Sequence, residues 1–174
     1  MKFTRATIIA GVGAAALASA VLLGLTAPIP TRTPAQFPSV TLTTIEGEQL
    51  TPERLRGKVV LVNFWATSCA TCVEEMPKLV ETWRKHRDRG FETVAVAMRY
   101  DPPNYVLRYA ERNALPFKVA LDPVGAAARA FGNVELTPTT FVVDRRGTIV
   151  KRYVGEPDFA ELDRIIAGKL AEAG

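Results

Sequence analysis

Residues 58–65, Lys58-Val59-Val60-Leu61-Val62-Asn63-Phe64-Trp65, form an almost unbroken apolar run, as expected for a strand covered on both faces of a sheet. The period then changes. Met76, Leu79, Val80 and Trp83 recur at helical spacing, with Lys78, Glu81, Arg84 and Lys85 opposite. Gly90 closes that helix, and Phe91 to Met98 gives a second apolar strand. Strand, helix, strand at these lengths is a βαβ unit, whose crossover is almost always right-handed.

The flanks carry weaker patterns. Val40–Thr44 and Gln49–Thr51 around Glu46-Gly47-Glu48 predict a small hairpin. Asp101-Pro102-Pro103 starts a helix with Val106, Tyr109 and Ala110 on one face. Phe117–Leu121 reads as a short strand, and Gly125–Phe131 as a short helix. Thr139–Val143 and Thr148–Val154 flank a turn at Asp144-Arg145-Arg146-Gly147. Asp158 caps a last helix bearing Phe159, Leu162, Ile166 and Leu170. The fold class is α/β, in the order βαβ, a helical insert after the second core strand, then ββα.

Ahead of this domain, Lys2 and Arg5 precede 22 uncharged residues, Ala6 to Ala27. A helix of that length spans roughly 33 Å, enough for a hydrocarbon core of about 30 Å. Ala18-Ser19-Ala20 offers a cleavage site, but cutting there leaves an apolar mature end, so the reading favours an uncleaved signal-anchor. Either way the positive end stays inside and the rest is exported. The expected organisation is a leader over 1–27, a stiff Pro/Thr-rich linker over 28–35 and a domain over 36–174. The expected location is the periplasmic side of a bacterial inner membrane.

Composition adds limits. The chain has 174 residues, 48% hydrophobic and 23% charged, which suits one packed domain plus a short extra element. Without Lys2 and Arg5, 20 basic residues face 18 acidic ones. The basic residues are interleaved with acids, so no nucleic-acid partner is expected. His86, amid arginines and lysines, reads as a surface residue without a role. Two cysteines and one histidine are too few for a four-ligand structural zinc site, so no metal is expected.

Both cysteines stand in Asn63–Pro77, NFWATSCATCVEEMP. A lone C-x-x-C is weak evidence. Preceded by Phe-Trp-Ala, following a buried strand and opening a helix that contains Pro77, it is strong. The element order and this motif together resemble the thioredoxin fold. More narrowly, residues 36–172 resemble the membrane-anchored TlpA/ResA/CcmG group of thiol–disulfide oxidoreductases.

The site follows from that placement. Cys69 falls where the strand gives way to the helix, where free N–H groups and the positive dipole end favour thiolate over thiol. It is the expected nucleophile. Cys72, nearly one turn on, resolves the mixed disulfide and leaves a Cys69–Cys72 disulfide. No cofactor beyond that pair is expected. In the resembling group a Glu at the position of Glu75 lies near the second cysteine and helps move its proton, which implies partial burial here. The resemblance also implies a cis-proline at Pro138, with Thr137 offering backbone groups to an extended substrate. Trp65 either shields the cysteines, joining Thr137 and Pro138 as a candidate substrate contact, or fills the core, and Pro77 kinks the helix.

Some positions depart from the group. Ser68 stands where many relatives have Trp and can act as the helix N-cap. Ala70-Thr71 separates the cysteines without a proline, and Asn63 replaces the buried acid of ordinary thioredoxins. The resemblance implies a reductase of exported dithiol proteins, fed by an upstream membrane or periplasmic thiol donor. Its clients would be apocytochromes c or proteins whose cysteines load copper. Other readings are a Sco-type copper chaperone, which uses Cys-x-x-x-Cys and a distant His, and a peroxiredoxin, whose Pro-x-x-x-Thr-x-x-Cys setting is absent before Cys69. A DsbA-type oxidase carries a larger helical insertion.

Overall fold

The computed structural model describes residues 35–172. The leader and the linker up to residue 34 lie outside them. In chain order the elements are β1 (Leu42–Thr44), β2 (Gln49–Leu50), α1 (Pro52–Leu55), β3 (Val59–Trp65), α2 (Ala70–His86), β4 (Phe91–Ala97), α3 (Pro103–Arg112), β5 (Lys118–Leu121), α4 (Ala126–Ala130), β6 (Thr139–Val143), β7 (Ile149–Val154) and α5 (Phe159–Ala171). A 3-10 turn at Arg87–Arg89 follows α2. Among the described residues, no helix is long and apolar enough to cross a membrane.

All seven strands join one sheet in the order β2-β1-β5-β4-β3-β6-β7. β3 is central and buried at every position. It pairs parallel with β4 and antiparallel with β6. Strand alternation sends Val60, Val62 and Phe64 to one face and Val59, Leu61 and Trp65 to the other. The first face packs against Leu55 of α1, Ala127 and Ala128 of α4, and Phe131. The second meets Met76 and Leu79 of α2, Val106 of α3, and Leu162 and Ile166 of α5. The molecule is therefore a thioredoxin-like sheet between two helical layers. Each large apolar side chain buried in these layers stabilises the fold by about 1.5–3 kcal/mol.

Local signals account for most ends. Gly90 ends the α2 region at φ 88°, a left-handed conformation that favours glycine. The Asp158 carboxylate accepts from the amides of Ala160 and Glu161 and starts α5. The Asp122 carboxylate accepts from Ala127 and Ala128 and holds the start of α4.

Several details differ from the sequence pattern. The hairpin is not a free appendage, because β1 pairs with β5 and extends the main sheet. α1 has no counterpart in the hydrophobic pattern. Its four residues are too few to show a period, although Thr51 caps it and Pro52 opens it. Asp101 does not cap α3: the N-cap is Pro102, and the Asp101 carboxylate turns elsewhere. The buried stripe of α2 is Cys72, Glu75, Met76, Leu79, Thr82 and His86, with Val80 and Trp83 only half-buried.

Candidate active site

The site sits where β3 ends and α2 begins, an intrinsic place for free backbone N–H groups. Cys69 and Cys72 form a disulfide with Cα atoms 5.2 Å apart. Cys69 is the N-cap of α2 in extended backbone, and its Sγ accepts from the Cys72 amide at 3.2 Å. That donor and the helix N-terminus also favour a thiolate on Cys69 when the bond is reduced. Cys69 is half-buried, whereas Cys72 has no exposed surface. An incoming sulfur therefore has access to Cys69 and not to Cys72.

Two loops hold this turn. The Asp101 carboxylate accepts from the Thr67 amide and the Thr67 hydroxyl, both at 2.6 Å, and so fixes the residues just before Cys69. On the other side, the Thr137–Pro138 bond is cis. The Thr137 carbonyl oxygen lies 3.6 Å from Cys69 Sγ. Thr137 is half-buried and Pro138 is buried, so the loop presents backbone next to the accessible sulfur.

Glu75 follows Cys72 by three residues on the same face of α2 and is completely buried. The Asn63 side-chain amide donates to Glu75 Oε1 at 2.8 Å and to Thr140 Oγ1 at 2.9 Å. Asn63 and Thr140 are direct partners across β3 and β6. Glu75 Oε2 and Asn63 Oδ1 are buried and have no hydrogen-bond partner among the described residues. Burial pushes the Glu75 carboxyl up to about 7, partly opposed by the Asn63 amide. The Glu156 carboxylate adds to the rise and the Lys78 ammonium counters it. A carboxyl that titrates near neutrality can hold a proton and release it.

Comparison with known proteins agrees with this geometry. The Redoxin family profile matches residues 33–166. The chain belongs to the Redoxin family. It is 30% identical over 131 residues to the thiol–disulfide oxidoreductase ResA of Bacillus thuringiensis, covering 75% of each chain. The solution structure of a candidate thioredoxin from Neisseria meningitidis superposes with a TM-score of 0.75 at 36% identity, over 80% of this chain and 93% of that one. A thioredoxin-family thiol:disulfide interchange protein from Chlorobium tepidum gives 0.73 at 29% identity, over 81% and 99%. This Redoxin-family protein is thus a thiol–disulfide oxidoreductase of the ResA type, with its C-x-x-C pair closed as a disulfide.

Within this oxidoreductase the structure brings Cys69, Cys72, Glu75, Thr137 and Pro138 to one place. Trp65 takes the core-filling reading and is corrected as a substrate contact. It has no exposed surface and fills the core beside Cys72 and Met76, 5.1 Å from the Tyr109 ring, so it offers nothing to a docked substrate. Ser68 is also corrected, because the N-cap is Cys69 itself and Ser68 is exposed one residue earlier. His86 is not a surface residue: it is 1% exposed, and its Nε2 lies 2.7 Å from Asp163 Oδ1. Pro77 stands exposed inside α2, where its missing N–H removes one helical hydrogen bond. Among the described residues, no cluster of three or more His, Cys, Asp or Glu side chains is placed to hold a metal. The sequence pattern shows no site role for Asp101 or Thr140. Each acts through a partner distant in sequence, and only the register of the fold reveals it.

Proposed function

We propose that this oxidoreductase is a reductase of disulfides in exported proteins, held on the outer face of the cytoplasmic membrane by its leader. The Cys69 thiolate attacks one sulfur of a client disulfide, and the client's other sulfur leaves as a thiolate. Cys72 then gives up its proton and attacks Cys69 Sγ, releasing the first client sulfur as a second thiolate. Two electrons pass to the client and the Cys69–Cys72 disulfide remains. An upstream thiol donor restores the dithiol. The backbone at Thr137, beside cis-Pro138, pairs with the client chain, and Glu75 accepts the proton of Cys72.

The observation that carries the exchange chemistry is the asymmetry of the pair, and the reductase direction rests on the resemblance. One sulfur is accessible at a helix N-terminus, and the other is buried, three residues before a buried carboxyl pushed up to about 7 on the same helix face. The export and anchoring rest on the charged start and long uncharged stretch of the leader. The resemblance to the TlpA/ResA/CcmG group supports dithiol clients that await haem attachment or copper loading.

Trapping tests the order of events. In cells expressing Cys72→Ser, Cys69 should hold exported clients as mixed disulfides that dithiothreitol releases. Cys69→Ser should hold none. Adducts formed by Cys69→Ser, or adducts confined to cytoplasmic proteins, would contradict the proposal.

A further inference from the structure

Beside the cis-Pro138 loop, a groove of about 600 Å³ opens between the end of β4, the start of α4 and the segment leading to Thr137. Tyr100 joins it to the active site. Its hydroxyl lies 3.2 Å from Thr137 Oγ1, and the Thr137 carbonyl oxygen is the one next to Cys69 Sγ. Tyr100, Val124 and Leu136, in or next to the groove, are 52%, 67% and 66% exposed. Such clustered apolar exposure beside an active site marks an interaction surface.

The charge of the groove is one-sided. Arg99 and Arg129 converge over Gly125, where an added Cβ would stand 3.0 Å from Arg99 Cδ and 3.1 Å from Arg129 Nη1. The glycine, at φ +71° where L side chains are strained, keeps this approach of the two arginines uncrowded. Neither arginine takes part in an ion pair among the described residues. Arg129 Nη1 donates to the Val124 carbonyl at 2.9 Å. Glu135 is the single carboxylate lining the groove. Two like charges held together outside any ion pair repel each other, and an arriving anion relieves that repulsion.

We propose that this groove docks an extended, acidic segment of the client polypeptide, which deepens and rests on the reductase reading above. Asp or Glu side chains beside the client's cysteines pair with Arg99 and Arg129. Its apolar residues cover Tyr100, Val124 and Leu136, and its disulfide reaches Cys69. Charge complementarity of this kind acts chiefly on partner choice and association rate.

The test uses the full chain in its reduced form and two synthetic peptides sharing one internal disulfide. One carries glutamates beside the cysteines, and the other carries glutamines in their place. Stopped-flow exchange should run about tenfold faster with the glutamate peptide at low ionic strength. Added salt should erase most of that advantage. In Arg99→Glu/Arg129→Glu the rate ratio should fall to about one or below, while Arg84→Glu, near the other end of α2, should keep it. The salt series on the unaltered protein carries the test if double charge reversal unsettles the fold. Equal rates for the two peptides overturn the acidic groove and leave the exchange chemistry standing. A preference that survives double reversal overturns it too, because recognition then lies elsewhere. Failure to exchange with either peptide overturns the reductase reading and this proposal together.

Discussion

Glu75 carries an acid group in a place where only its neutral form is comfortable. Its carboxyl titrates at about 7 in the fold against an ordinary 4.5. Folding therefore favours the protonated form, and the stabilisation is complete below about pH 4.5 and is lost as pH rises through 7. For the oxidised protein, the stability of wild type relative to Glu75→Gln should fall by about 3 kcal/mol between pH 4.5 and pH 8. Denaturant titrations across that range would show it, and parallel curves for the two proteins would contradict it. If Glu75 takes the Cys72 proton, Glu75→Gln should also slow release of the mixed disulfide by about tenfold or more. That loss should shrink at high pH, where Cys72 ionises unaided. The role of Glu75 was legible through the family resemblance, and its spacing places it on the same helical side as Cys72. Its clamp was not: Asn63 projects toward α2 by strand alternation, but Thr140 joins it only through the β3–β6 register.

At the level of elements, the end of α2 is tied to α5 through one carboxylate. Asp163 meets His86 Nε2 at 2.7 Å and Lys85 Nζ at 2.8 Å. Lys85 first, then His86, holds the Asp163 carboxyl below its usual range. Asp163→Ala leaves the buried His86 ring without its partner and should cost about 2 kcal/mol of stability, with thiol exchange retained. A loss under about 0.5 kcal/mol in denaturant titration would mean the contact is incidental. The long elements were readable because β3 is apolar except at Asn63 and α2 keeps a helical stripe. The stripe also reached His86, seven residues after Leu79, yet the flanking Arg84, Lys85, Arg87 and Arg89 masked it. The union of the hairpin with β5 was not readable, since a pairing between strands far apart in sequence leaves no local period.

At the scale of the whole molecule, a sheet buried on both faces carries an active-site turn clamped from both sides by Asp101 and the cis-Pro138 loop, with a basic, apolar groove leading away from it. The fold and the sulfur pair set the reaction type. The direction of electron flow depends on the potential of the pair against its partners. The decisive measurement is to equilibrate the purified protein against graded reduced and oxidised thiol buffer and to read the Cys69–Cys72 potential at pH 7. The reductase reading predicts a single two-electron couple near or below about −250 mV, on the thioredoxin side of the scale. A couple near about −120 mV, where the strong oxidant DsbA lies, would contradict the reductase and make the protein a donor of disulfides.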